Sequence, residues 1–560
     1  MPSSRRRRKR AKSAYFGYPS AIIRPRHRIL LAFAVFVLLA AVHTWPLASD
    51  PAHLSRVDPG DGALNIWNIG WVAHELPRHP LRLFEANIFY PEHLTLAYSE
   101  AMIVQGALAM PIVALGGSAV LAYNVVLMAG LALTGWAFCL LTWRWTGSWS
   151  AGFVAGSLAA FNAHALVRFT HLQAQHVEFV AVMLFALDRL VVSRRFRDAL
   201  LLGAGFALQG LSSVYLLVFS TWTLLFAVVA RAGEWLRAGA PGMLVRFGVA
   251  GGLAALLMAP YLYEYQQLHQ LTGWTRGAGE QWAAATANYL ATGARLHYNW
   301  WSKPFAAEAT SYTFPGFVAL LLVGAAFSFR DNRQDPRFRM CVIVGVGCAA
   351  VSFAPSLPFY PLLHRMVPLF QAVRVPAHLG QFVLLMIAVL AGFGVASLQR
   401  GWKNARTWPV VAVVLCVLIN GEALRAPVGW VYFDGVPEVY AALGRERAGA
   451  VAELPFPIPT QWFLNTPYMV NSTAHFRPLL NGYSGFRPPS YDQSYAMVQT
   501  FPDDASLIAL HDRGVSHVVV HKKAFIVSYG QERFDAIAKV HTLRVVAADD
   551  DIFIYLLDPS

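Results

Sequence analysis

Long apolar runs alternate with short polar breaks along the chain, and the breaks are of two kinds. Apolar runs cover about 29–47, 101–117, 119–142, 150–167, 177–193, 243–262, 314–329, 340–355, 377–397 and 407–424. Runs of this length predict membrane-spanning helices. Another run, of roughly 33 residues between Arg197 and Arg231, exceeds one crossing at about 1.5 Å per residue through ~30 Å of hydrocarbon. It divides at 209–213 into two short spans. Breaks of the first kind are rich in arginine, at Arg144, 194–197, Arg231/Arg237/Arg246, 330–339 and 400–406. Those of the second kind carry histidine, carboxylates and tryptophan.

Basic loops stay on the cytoplasmic side, so placing the arginine breaks there demands an even number of crossings between them. Only 101–117 resists. It is short, it contains Gln105 and Pro111, and counting it as a span would put Arg144 outside. The parity therefore predicts that it lies on or dips into the outer leaflet; a true span with a lone external Arg144 is the alternative. The expected fold is an α-helical polytopic membrane protein of about eleven transmembrane helices, amino terminus inside and carboxyl terminus outside. Its exported parts are 48–118, 168–176, 209–213, 263–313, 356–376 and everything after about 425.

Composition agrees. With 560 residues, 56% hydrophobic and 14% charged, the chain is too apolar for a soluble protein. Its formal charge of +14 does not point to nucleic acid, because ten of those charges fall in 1–28, a stretch without an acidic residue. Directly before an apolar run, such a tail reads as a cytoplasmic anchor drawn to anionic membrane lipid. Residues 29–48 are read as the first span rather than a cleaved signal, since the apolar region is long and many spans follow. Cys139, Cys341, Cys348 and Cys416 all lie in apolar runs without metal-ligand spacing, so the exported parts have no disulfide to form. Three regions result: a basic cytoplasmic tail at 1–28, a transmembrane domain at 29–424 whose first exported loop is 48–118, and an exported α/β domain at 425–560. In the last, 450–455 and 516–521 read as strands, 504–513 as a helix, and 543–557 as two strands around an acidic turn.

Chemistry gathers in the exported breaks. In 49–100, Asp58 and Asp61 occupy a Pro/Gly turn (DPGD) before an amphipathic helix bearing Leu64, Trp67, Ile69 and Trp71, a pattern suited to the membrane interface. Carboxylates on a rigid turn beside a bilayer suit chemistry on a lipid-borne substrate, although helix capping alone would account for Asp61. The stretch YPEHLTLAYSE adds His93 and Glu100, and RFTHLQAQHVE adds Arg168, His171, His176 and Glu178. His171 and Gln175 would share a helix face if the span began there. These groups would bind phosphate or hold a divalent cation such as Mg or Mn; ordinary interface polarity explains them equally well. Farther on, the paired tryptophans of YNWWSK (298–303) suit an interface or a sugar face. In QAVRVPAHLGQ, Arg374 precedes Pro376 at the start of a helix, where guanidinium and free backbone N–H groups together suit a phosphate. The stretch 477–491 (RPLLNGYSGFRPPSY) suits sugar or phosphate binding, or is a packing loop.

This plan resembles the GT-C superfamily of membrane glycosyltransferases, which includes protein O-mannosyltransferases, aminoarabinose transferases and oligosaccharyltransferases. The resemblance rests on an acidic first exported loop, a second exported polar motif, about a dozen spans and an exported carboxy-terminal domain. It implies an inverting transferase that uses a polyprenyl-phosphate or diphosphate sugar at the outer face of a bacterial inner membrane, with a glycan, lipid or protein as acceptor. It places the catalytic role on Asp61, with Asp58 close behind, and the phosphate-facing role on Arg374. Where the superfamily's second motif usually supplies another acid, this chain has HLQAQHVE. The competing function is a non-enzymatic transporter or flippase-like lipid carrier, which would place charges and broken helices at the bilayer midplane.

Overall fold

The structure is a computed structural model and describes residues 26–237, 239–273, 282–367, 371 and 373–558. Most of the basic tail lies outside the described residues. Among the described residues, five helices are long and apolar enough to cross a membrane: Arg26–His43, Ala119–Thr146, Trp149–Val167, Ala240–Thr272 and Pro376–Gly401. Shorter apolar helices at Val214–Ala230, Phe317–Ser328 and Trp408–Ala423 pack among them. Side chains such as Leu31, Leu256, Leu321 and Val417 point out of the bundle. A bundle apolar on the outside as well as inside has lipid as its solvent. The protein is a multi-pass membrane protein.

Arg231 and Arg337 are drawn into this bundle by Asp188. Its Oδ1 accepts from Arg231 Nη1 at 2.9 Å and its Oδ2 from Arg337 Nε at 3.0 Å, while Arg231 also pairs with Glu234. Asp188 is fully buried, so two guanidinium groups on separate helices compensate it.

Two expectations about the polar breaks are revised. The helix Asp61–Glu75, which we label α1, is not an interface helix: all but two of its residues are buried. Trp67 donates to Asn87 Oδ1 at 3.0 Å and Trp71 to the Leu83 carbonyl at 2.9 Å, so both indoles are used inside the protein. The cause is the cover α1 receives from a second helix, α2 (Ile103–Ala114), and from the carboxy-terminal region. At 12 residues α2 is about 18 Å long, short of the hydrocarbon thickness, and it lies against α1. The polar break read at 263–313 is also shorter than expected, because the Ala240–Thr272 helix runs well past the apolar residues that start it.

The carboxy-terminal region contains a four-stranded sheet. Ala450–Leu454 pairs in parallel with Val515–His521, which pairs antiparallel with Ile552–Leu557, and that strand with Leu543–Ala548. These strands match the sequence reading closely, and Asp503 caps the helix Asp504–Asp512 by accepting from Ser506 N at 2.9 Å. The region is joined to the first loop. Tyr90 N donates to the Leu479 carbonyl at 2.9 Å, and Leu479 N donates to that of Asn87 at 2.7 Å. Leu54–Ser55 pairs antiparallel with Val431–Tyr432, and a single hydrophobic core runs through α1, α2 and the sheet. Residues far apart in the chain thereby meet around the start of α1.

Candidate active site

Asp61 is the first residue of α1, and the turn that presents it is fixed by two glycines. Gly60 has φ +119°, a region that side chains disfavour, and its N–H donates to Thr466 Oγ1 at 2.9 Å. Gly62 passes so close to the Arg56 carbonyl that a Cβ there would collide with it. The Asp61 carboxylate is thus held at one place from two sides. Its Oδ2 lies 3.3 Å from His171 Nε2, and its Oδ1 accepts from the Tyr483 hydroxyl at 3.3 Å. The side chain remains half exposed.

The partner segment, 168–176, is positioned by backbone contacts. Asn65 of α1 donates to the Thr170 carbonyl at 2.6 Å, and the buried Tyr123 hydroxyl donates to that of Phe169 at 2.6 Å. Thr170 Oγ1 sits 2.9 Å from His171 Nδ1. A threonine hydroxyl donating to Nδ1 leaves Nε2–H free to donate to Asp61, so one neutral tautomer satisfies both contacts. Electrostatics agree. The His171 hydrogen bond, foremost, holds the Asp61 carboxyl below its ordinary range against the opposing effect of burial, with smaller help from Tyr483 and Arg168. Burial, and then the Arg168 charge, lowers the pKa of His171. Arg168, itself pushed down to about 10 by burial, is still a cation at neutral pH.

Behind Asp61 opens a cavity of about 560 Å³. Asp61 and Glu100 line it from the first loop, and Arg168 and His171 from the second polar segment. Arg374, His378 and Gln381 line it from the start of the Pro376–Gly401 span. Gln381 donates to the Ala174 carbonyl at 2.6 Å, tying that span to the segment bearing His171. Arg374 lies over the Trp282 ring, 5.8 Å from its centroid. His164 donates to or accepts from Ser311 Oγ at 2.7 Å and meets the His378 ring edge-on at 5.2 Å between centroids.

The structure therefore brings together Asp61, Arg168, His171, Arg374 and Glu100, the last with its Oε2 accepting from Val214 N at 2.8 Å. The other candidates stand elsewhere. Asp58 pairs with Arg56 at 3.2 Å and does not line the cavity. His93 is an exposed partner of Glu85 at 2.9 Å. His176 is buried between the Val126 carbonyl and Glu178, each 3.0 Å away. His171 and Gln175 do not share a helix face: Leu172–Gln175 is a 3-10 turn, and Gln175 donates backward to the Ala165 carbonyl.

Three contributors escaped the sequence reading as individuals: His164, His378 and Tyr483. The first two had a signal. His164 stands four residues before Arg168 and His378 four after Arg374, which is helical spacing onto one face. Tyr483 had none of its own, because only tertiary contact brings it to Asp61.

The carboxylates that the cavity offers to the expected Mg or Mn are Asp61 and Glu100. Among the described residues no group of three or more His, Cys, Asp or Glu is placed to hold a metal ion. Mg²⁺ is commonly held by one or two carboxylates together with substrate phosphates; here Asp58 turns to Arg56 and one Glu100 oxygen takes a backbone N–H, so Asp61 is the half-exposed carboxylate of the cavity.

No family model matches the chain, and no curated protein matches it. Solved structures do. The arabinofuranosyltransferase AftD from mycobacteria superimposes with a TM-score of 0.56 at 14% identity, covering 96% of this chain. The likeness is one of overall fold. The chain spans 40% of the length of AftD. ArnT from Cupriavidus metallidurans matches at TM-score 0.48 and 13% identity, over 95% of this chain and 99% of its own. The Archaeoglobus fulgidus oligosaccharyltransferase matches at 0.47 and 11%, over 88% and 69%.

Proposed function

We propose that this protein is a GT-C glycosyltransferase that moves a sugar from a polyprenyl-phosphate or diphosphate donor to an acceptor at the outer face of a bacterial inner membrane. The carrying observation is one half-exposed carboxylate, Asp61, sharing a single cavity with two guanidinium groups, Arg168 and Arg374. Those are the opposite charges that such a transfer needs on its two sides. The acceptor hydroxyl hydrogen-bonds to Asp61. As its oxygen bonds to the anomeric carbon, the carbon–oxygen bond to phosphate breaks and the electron pair leaves with the phosphate. The proton passes to Asp61, and Arg168 and Arg374 offset the charge that grows on the phosphate. Asp61 is a weak base because its pKa is held down, so proton transfer completes late. That suffices where the leaving group is a phosphate. The arginine parity of the loops supports a cavity on the exported side and a cytoplasmic amino terminus.

The test is incubation of the purified protein with radiolabelled polyprenyl-phosphate sugars, comparing wild type with Asp61→Asn. Sugar release by the wild type that disappears in the variant is expected. Equal turnover by the two would overturn the role of Asp61.

A further inference from the structure

Asp61 has two sides, and the cavity accounts for only one. Tyr483 touches the carboxylate but does not line the cavity. Its ring packs edge-on against Trp462 at 4.8 Å between centroids, and Trp462 in turn packs against Tyr491 and Phe89. Both Tyr483 and Trp462 are partly exposed. The two bonds that Asp61 accepts are long and leave lone pairs on both oxygens. Aromatic rings with accessible surface beside a carboxylate that can still accept protons from hydroxyls form the two halves of a sugar site: apolar C–H faces against the rings, hydroxyls to the acid.

We propose that Trp462 and Tyr483 form the acceptor subsite and that the acceptor is a saccharide rather than a protein or a simple lipid. This rests on the transferase reading and adds to it. The donor sugar would lie in the cavity and the acceptor on the aromatic wall, with Asp61 between them, so the two reactants approach from different sides. Tyr483 is then a positioning residue: its hydroxyl fixes one carboxylate oxygen, leaving the other lone pairs aimed at the acceptor.

The experiment uses the full-length protein in detergent. Saturation-transfer NMR is recorded with oligosaccharides built of pentofuranose, hexopyranose or N-acetylhexosamine units, on wild type and Trp462→Ala. One class is expected to give a signal that the variant loses, and with that class the variant's acceptor KM should rise about tenfold. Its ratio of transfer to donor hydrolysis should fall correspondingly. Tyr483→Phe keeps the ring, so it should keep the acceptor KM, lower kcat about tenfold and move the acid limb of the rate profile to higher pH. A purely structural tyrosine would not move that limb. Wild-type turnover together with unaltered acceptor KM and saccharide signal in Trp462→Ala would overturn the subsite alone. No sugar release from any donor would overturn the transferase reading; a saccharide signal lost in Trp462→Ala would then still establish the wall as a sugar site.

Discussion

His171 Nε2 lies 3.3 Å from Asp61 Oδ2, and this contact is the main influence holding Asp61 ionised. It stabilises the carboxylate, while burial and Arg168 keep the imidazole neutral. The sign of the pH dependence follows. Asp61 has a depressed pKa, so its basic form is present throughout the neutral range and is lost only as pH falls through the lowered value. The rate of transfer should therefore be flat near neutrality and fall only below about pH 4, the ordinary carboxylate region. In His171→Ala the largest lowering influence disappears and the acid limb should move upward. A rate profile of the two proteins checks this, and coincident limbs would count against the coupling.

Arg168 and Arg374 should behave differently from Asp61. Each is proposed to face the departing phosphate, and losing one such donor typically costs about 10²–10³ in kcat. Arg374→Ala is expected to show a loss of that order. Arg168→Lys keeps the charge but replaces a planar fork with a point charge, so it should retain more activity than Arg168→Ala. Single-turnover rates with a saturating donor would separate this from weakened binding. Equal defects in Arg168→Lys and Arg168→Ala would mean that geometry, not charge, is what Arg168 supplies.

The backbone under Asp61 gives a third expectation. In Gly62→Ala the new methyl group meets the Arg56 carbonyl, and backbone cannot move aside cheaply. The turn must shift, and a catalytic group displaced by about 1 Å can lose on the order of 10²-fold in rate. Gly62→Ala should therefore lower kcat strongly while the protein still purifies as a monodisperse species in detergent. A Gly62→Ala enzyme with wild-type kcat would show that the carboxylate position is less constrained than the structure indicates.

How much of this was legible in the sequence depended on the range of the interaction. Apolar runs mark spans because bilayer thickness is a local length requirement, and the strands at 515–521 and 552–557 were readable for a similar reason, being short β-rich runs between breaks. Asp61, Arg168, His171 and Arg374 could be picked out because each sits in a polar break where few polar residues are needed for packing. The interface reading of α1 failed for a non-local reason. Trp67 and Trp71 look like interface tryptophans until Asn87 and the Leu83 carbonyl are seen to take their N–H groups. His176 and Glu178 likewise resemble site residues in one dimension, but they satisfy each other and the Val126 carbonyl inside the bundle. Nor does any local signal disclose that the backbone around Leu479 pairs with that of Asn87 and Tyr90, which is what carries Tyr483 to the site.

The last expectation concerns stability rather than activity. Asp188 is fully buried, and Arg231, itself 1% exposed, and Arg337 both pair with it. Replacing it with asparagine preserves the shape but removes the negative charge that both guanidinium groups contact. Breaking a buried pair by removing one partner costs about 3–5 kcal/mol, a large share of a typical folding free energy. Asp188→Asn should therefore unfold at clearly lower temperature in detergent, whereas Asp58→Asn, whose Arg56 partner is a third exposed, should change the unfolding temperature little. Removing the two charges together, as in Asp188→Leu with Arg337→Met, should recover part of the loss, because it also removes a buried positive charge that has lost one of its compensating carboxylates. A thermal-unfolding series on these variants reads that difference directly, and a double variant no more stable than Asp188→Asn would show that the ion pair itself holds the helices together.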